Sequence, residues 1–119
     1  MLIPYTKRIT GTTETNIFLC PYGQNIRFKL LKLVLYNEAG TATVVKIFDH
    51  NAVTAVTDPP ATGDATTPQI SISVPPTAAG STGVYTLDIN AASEINFRQG
   101  MAVVSAASGI QVLAIVREA

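Results

Sequence analysis

The chain of 119 residues has no tryptophan, one cysteine and one histidine, and these shortages exclude several classes of function. With Cys20 alone, no intrachain disulfide can form, so this is not a disulfide-stapled secreted scaffold. Flanked by Leu19 and Pro21, Cys20 is expected to pack as a small hydrophobe. One cysteine and one histidine also rule out the common zinc motifs, which need three or four ligands at close spacing. Asp49, Asn51, Asp58 and Asp64 lie near one another in sequence, but without the spacing of a calcium-binding EF-hand loop. His50, in "FDHNA", has no GxSxG elbow to serve, and Asp49 on a strand end points away from it. It reads as a polar residue in a turn. Neither "GTTET" nor "TAAGSTG" has the pattern of a phosphate-cradling loop. No metal, no cofactor and no catalytic residue are expected.

Charge is scarce as well. Charged residues make up 13% of the chain, about half the usual ~25%. The formal net charge is zero, which argues against a general nucleic-acid binder, whose affinity comes from neutralising phosphates. No apolar run approaches the ~20 residues that a membrane-spanning helix needs. "MLIPYTKRIT" lacks the basic start, apolar run and cleavage site of a signal peptide, so a chain made in the cytoplasm is expected. What charge there is lies unevenly. Lys7, Arg8, Arg27, Lys29, Lys32 and Lys46 fall in residues 1–46, and six of the eight acidic residues follow. Such poles serve docking between molecules or pair inside one fold. The sparse charge implies either a surface covered by a partner or by copies, or a neutral surface rich in the fifteen threonines.

At 47% hydrophobic residues, the chain has enough apolar content to fold as one domain. The densest apolar stretch is "IRFKLLKLVLYN", residues 26–37. On a helix its apolar residues circle the axis without forming a stripe. On a strand, Ile26, Phe28 and Leu30 face one way; Leu31, Leu33 and Leu35 then continue on the face of Arg27. A β-bulge between Leu30 and Lys32 restores the register. Phe28 therefore reads as core, although Arg27 and Lys29 beside it loosely fit a nucleic-acid-binding pattern. "NEAG" and "TATVVKIFD" follow, and the whole reads as a hairpin with strands near 26–36 and 42–48.

Further strands are expected at 15–19, 69–74, 84–89, 94–97, 101–105 and 110–116, the last two as a closing hairpin across "AASG". "NAASE" (90–94) fits one helical turn. About eight short strands with turn residues between them predict an all-β fold, an antiparallel β-sandwich of jelly-roll type. Residues 1–14 read as an N-terminal arm or edge strand, and residues 15–119 as the sandwich domain. Ile3, Tyr5, Lys7 and Arg8 in the first segment would contact a neighbour or pack on their own domain. Two proline-rich loops, "DPPATGDATTP" with Pro59 and Pro60 and "PPTAAGSTG" with Pro75 and Pro76, either carry contacts or merely cross between sheets.

A Thr-rich first strand, "GQNIRFKLLKLVLYNEAGTATVVKIFDH", a Pro/Gly/Thr loop and "EINFRQGMAVVSAASGIQVLAIVREA" together resemble small β-sandwich structural proteins of tailed bacteriophage virions. The closing element carries most of the likeness: an apolar strand into F-x-x-G-M-A-V, a small-residue turn, and a last strand ending in V-R-E. The resemblance spans roughly residues 10–119 and rests on structural motifs. It implies a non-enzymatic head decoration (cement) protein or minor virion protein, in the virion after synthesis in the host cytoplasm. Its partners would be the major capsid protein or other virion subunits, and copies of itself as a homotrimer. Ile3, Tyr5, Lys7, Arg8, Pro59, Pro60, Pro75 and Pro76 are the expected contacts. The rival reading is a receptor- or carbohydrate-binding module of a fibre or tail, with Tyr22 and Tyr85 as stacking platforms.

Overall fold

The computed structural model describes residues 2–12, 14–20, 27–50, 69–78, 80–89 and 95–118. Among these residues, nine strands form two antiparallel sheets. They are β1 (Leu2–Ile9), β2 (Thr15–Leu19), β3 (Phe28–Asn37), β4 (Thr43–Asp49), β5 (Ile70–Val74), β6 (Val84–Asp88), β7 (Ile95–Phe97), β8 (Gly100–Ser105) and β9 (Ile110–Glu118). The first sheet runs β1-β9-β3-β6, with β7 also on β3, and the second runs β2-β8-β4-β5. Among the described residues no helix is long and apolar enough to cross a membrane. The all-β sandwich expected from the sequence is the fold, and its topology is that of a jelly roll.

The hydrophobic pattern places the core. Leu33 and Leu35 of β3, Val112, Ala114 and Val116 of β9, Val45 and Ile47 of β4, and Met101 and Val103 of β8 all bury side chains between the sheets. Each such large aliphatic residue contributes roughly 1.5–3 kcal/mol by leaving water. The register of β3 against β9 shifts between Leu30 and Lys32, where the sequence called for a bulge. That extra residue lets Phe28 and Leu30 before it, and Leu33 and Leu35 after it, all face the core. Phe18 centres an aromatic cluster, with Phe28 and Phe97 edge-on at 5.4 and 5.6 Å and Tyr5 at 5.0 Å. Cys20 is buried, as expected.

Two expected hairpins are not hairpins. β3 pairs with β6, β7 and β9, whereas β4 pairs with β5 and β8. The 38–42 turn is therefore an arch from one sheet to the other. The 106–109 turn between β8 and β9 is a second arch. The reason lies in the inward rows. Leu33 and Leu35 on β3 and Val45 and Ile47 on β4 are all fully buried, which stacking across the core achieves. Asn37 pins the first arch: its Nδ2 donates to the Thr41 carbonyl at 2.8 Å, and its Oδ1 accepts from the Ala39 amide at 2.9 Å.

The segment read as arm or edge strand is β1, paired with β9 from Leu2↔Arg117 to Ile9↔Ile110. It forms an outer edge of the first sheet. Pro4, Lys7 and Arg8 on that strand discourage a foreign strand from adding there. The second proline-rich loop crosses from β5 to β6. "DPPATGDATTP" with Pro59 and Pro60, the "NAASE" turn, Ile26 and Tyr22 lie outside the described residues.

Candidate functional site

The expected contact residues divide by the face they take on β1. Ile3 and Tyr5 point inward, partly buried against the core. Arg8 points outward, toward the first arch. Its Nε and Nη2 donate to the two Glu38 oxygens at 2.7 and 2.8 Å, and Gln111 Nε2 donates to the same carboxylate at 3.3 Å. Hydrogen bonding to Arg8 holds the Glu38 carboxyl below the usual carboxylate range and raises the Arg8 guanidinium above its own. Lys7 is exposed on β1.

Pro75 and Pro76 leave β5 at this same end. The following Thr77 donates its amide to the Ala39 carbonyl at 3.0 Å, and Asn37 takes a 2.8 Å bond from its own amide to the Gly83 carbonyl. A Cβ on Gly83 would meet the Asn37 carbonyl at 2.9 Å, and its φ of +72° favours glycine. Arg8, the first arch and the Pro75–Pro76 crossover thus form one end of the sandwich. Ile3 and Tyr5 do not join it. Beside that end, on the outer face of the first sheet, lies an open groove of about 430 Å³. Its lining includes Arg8, Thr6, Val34, Tyr36, Gln111 and Leu113.

Two polar clusters around the second sheet leave little trace in the local sequence. Glu14, just before β2, and His50, just after β4, are both buried and paired through Oε1 and Nδ1. Asn16 Nδ2 donates to the His50 carbonyl at 2.9 Å. Glu14 Oε2 is buried without a hydrogen-bond partner. Asp49 points elsewhere, as the strand reading required. Its carboxylate accepts from the amides of Arg98, Gln99 and Gly100 at 3.1, 2.8 and 3.3 Å, pinning the β7–β8 crossover. Nothing in "TTET" or "FDHNA" points across the sequence separation of 36 to the Glu14–His50 pair. The small-residue step at Gly100 was the only cue to the Asp49 cradle.

These groups are closed to chemistry. His50 is enclosed with Glu14, so its imidazole presents no open base. The Cys20 thiol faces the Phe97 carbonyl at 3.3 Å and is pushed up to about 11, chiefly by burial and secondarily by the nearby Asp49 charge. A thiol held neutral in this way is a poor nucleophile. Among the described residues no group of three or more His, Cys, Asp or Glu side chains could hold a metal ion. Tyr85 faces inward opposite Leu35 and packs against the core, so its ring is not a free stacking platform.

No protein-family model matches the chain, and no curated protein matches it. Solved structures that resemble it include a chain of Bacillus endospore appendages, described as a novel family of disulfide-linked pili. That chain is 20% identical, with 98% of this chain and 81% of that one covered and a TM-score of 0.41. Another is a chain of the virus-like particle of extra small virus from the giant freshwater prawn Macrobrachium rosenbergii. It is 10% identical, with 98% and 79% covered and a TM-score of 0.39. Both scores are too low to carry function across, which leaves the chain's own geometry to supply the reading.

Proposed function

We propose that this protein is a non-enzymatic structural component of a virion, a capsid decoration or cement module that binds between capsid subunits. One observation carries the reading. The reactive side chains Cys20 and His50 are enclosed in the packed sandwich, while Val34, Leu113 and Ile115 on the outer face of the first sheet stay partly open to water. A rigid module with closed chemistry and an open adhesive surface suits a protein that acts by burying area, and repetition on a symmetric particle multiplies a modest contact. The jelly-roll topology and the F-x-x-G-M-A-V closing element support the same reading. The inward packing of Tyr85 weighs against the carbohydrate-binding rival.

The test is co-sedimentation of the purified protein with tailed-phage heads that lack it, followed by thermal melting of the decorated heads. Saturable pelleting and a raised melting temperature are expected. Failure to bind heads, together with binding to a glycan array that Tyr22→Ala abolishes, would establish the rival.

A further inference from the structure

We infer that the outer face of the first sheet is an isologous interface at which a second copy of this chain docks, face to face and with strands antiparallel. Strand register defines that face. From one end to the other its rows are Arg8–Gln111–Tyr36–Val84, Thr6–Leu113–Val34–Thr86, Pro4–Ile115–Lys32–Asp88 and Leu2–Arg117–Lys29–Asn96. A sheet face turned to water is ordinarily polar. The middle of this one carries Val34, Leu113 and Ile115 beside one cation, Lys32, with Pro4 next to Ile115 on the edge strand. Leu2 and Val84 at its margins are 60% and 42% exposed. Ion pairs flank these side chains, Arg8 with Glu38 at one end and Lys32 of the interior strand β3 with Asp88 of the edge strand β6. Apolar side chains interspersed with polar and charged ones are the make-up of an interface between proteins that also exist apart.

Area and charge specify the occupant. β3 and β9 are ten and nine residues long. At about 3.3 Å per residue and about 4.8 Å between strands, four strands offer a face of roughly 30 by 19 Å. With side-chain relief, that approaches the ~800 Å² per partner of a standard stable interface. Two two-fold arrangements stack this face on itself. With the axis along the strands, Arg117 lies over Lys29 of the second copy, a like-charge contact. With the axis across the strands, the two ends exchange. The Glu38–Gln111 corner then faces Arg117, Tyr36 faces Lys29, Leu113 lies over Ile115, and Val34 lies over Lys32, whose methylene stem can pack on it. That arrangement puts an acid against a base and a cation against an aromatic ring. The face is therefore self-complementary in one orientation, which is what a two-fold pair requires.

Light scattering and sedimentation velocity across about 1 to about 200 µM test this, since interfaces of this size associate in or below that range. A reversible species at twice the 12.6 kDa chain mass is expected. The double variant V34K/L113K should run as a monomer with an unchanged far-UV spectrum. Thr6→Arg, an exposed change that leaves the core alone, should weaken pairing at least tenfold and keeps the test valid if the double variant misfolds. Val44→Lys on the second sheet should leave pairing intact. A wild-type protein monomeric throughout, a trimer, or a dimer that Val44→Lys dissolves and Thr6→Arg does not would overturn the inference. Head binding is a separate readout, so a monomer that still decorates heads would sink the interface and spare the functional proposal.

Discussion

The two sheets treat their outward side chains differently. On the first, Val34, Leu113 and Ile115 are half-buried among ion pairs that water reaches. On the second, Phe48, Ala102 and Val104 face away from the main core and are nevertheless buried, forming a small cluster of their own. The hydrogen-bonded polar pair on this side, Glu14 with His50, is enclosed as well. One sheet thus offers a surface and the other holds a lock. Surface ion pairs stabilise little and are screened by salt, whereas a buried pair fails steeply when one member is lost.

That contrast can be broken most decisively at the lock. His50→Ala leaves the Glu14 carboxyl buried with no partner, and urea unfolding should show a loss of roughly 3–5 kcal/mol. The double variant Glu14→Leu/His50→Leu should recover most of it, because no buried polar group is then stranded; a loss as large as that of His50→Ala would mean the pair matters by shape alone. Asp49→Ala should come next. It frees three backbone amides at the β7–β8 crossover, and a loss of about 1.5–3 kcal/mol is expected from hydrogen bonds to a charged acceptor. Gly100→Ala tests the same corner sterically. The new Cβ would lie 2.6 Å from the Phe18 carbonyl, so β2 must shift on β8, at about 1–3 kcal/mol.

The smallest effect belongs to the first sheet. Arg8→Ala should lower the thermal midpoint only slightly, and the difference from wild type should vanish at high salt. Its pH dependence has a fixed sign. The folded Glu38 carboxyl is held below its ordinary range, so its contribution is present above the unfolded carboxylate value. It is lost as pH falls through the lower folded value. Acid should therefore erase the difference between Arg8→Ala and wild type, and a difference that grew on acidification would contradict the pairing.

Much of the sandwich was legible in the sequence, because period-2 alternation reports burial directly. β2 at 15–19, the bulge at Leu30–Lys32 and the core position of Phe28 all follow from which residues must avoid water. Pairing was less legible, for a physical reason. Alternation is the same whether two strands lie side by side or stack across a core, so "NEAG" and "AASG" read equally well as hairpin turns and as arches. Long-range polar partners left no local trace at all. Glu14 and His50 each look like loop residues until β8, lying between β2 and β4, brings them together. Of the expected contact residues, Arg8, Pro75 and Pro76 share one end, while Ile3 and Tyr5 turned inward because the strand's alternation assigns them to the core face.

The position of β9 also sets a timetable. It follows every other strand in the chain, yet lies between β1 and β3 in the first sheet. Until the ribosome has passed residue 118, β1 has no described neighbour in its sheet and β3 is open on one side. At roughly 5–20 residues per second, the stretch from the end of β1 at Ile9 to Glu118 takes about 5–22 s, with apolar edges uncovered. The fold therefore closes in a single late step, and a newly made chain is most vulnerable to wrong strand pairing just before the last strand is inserted.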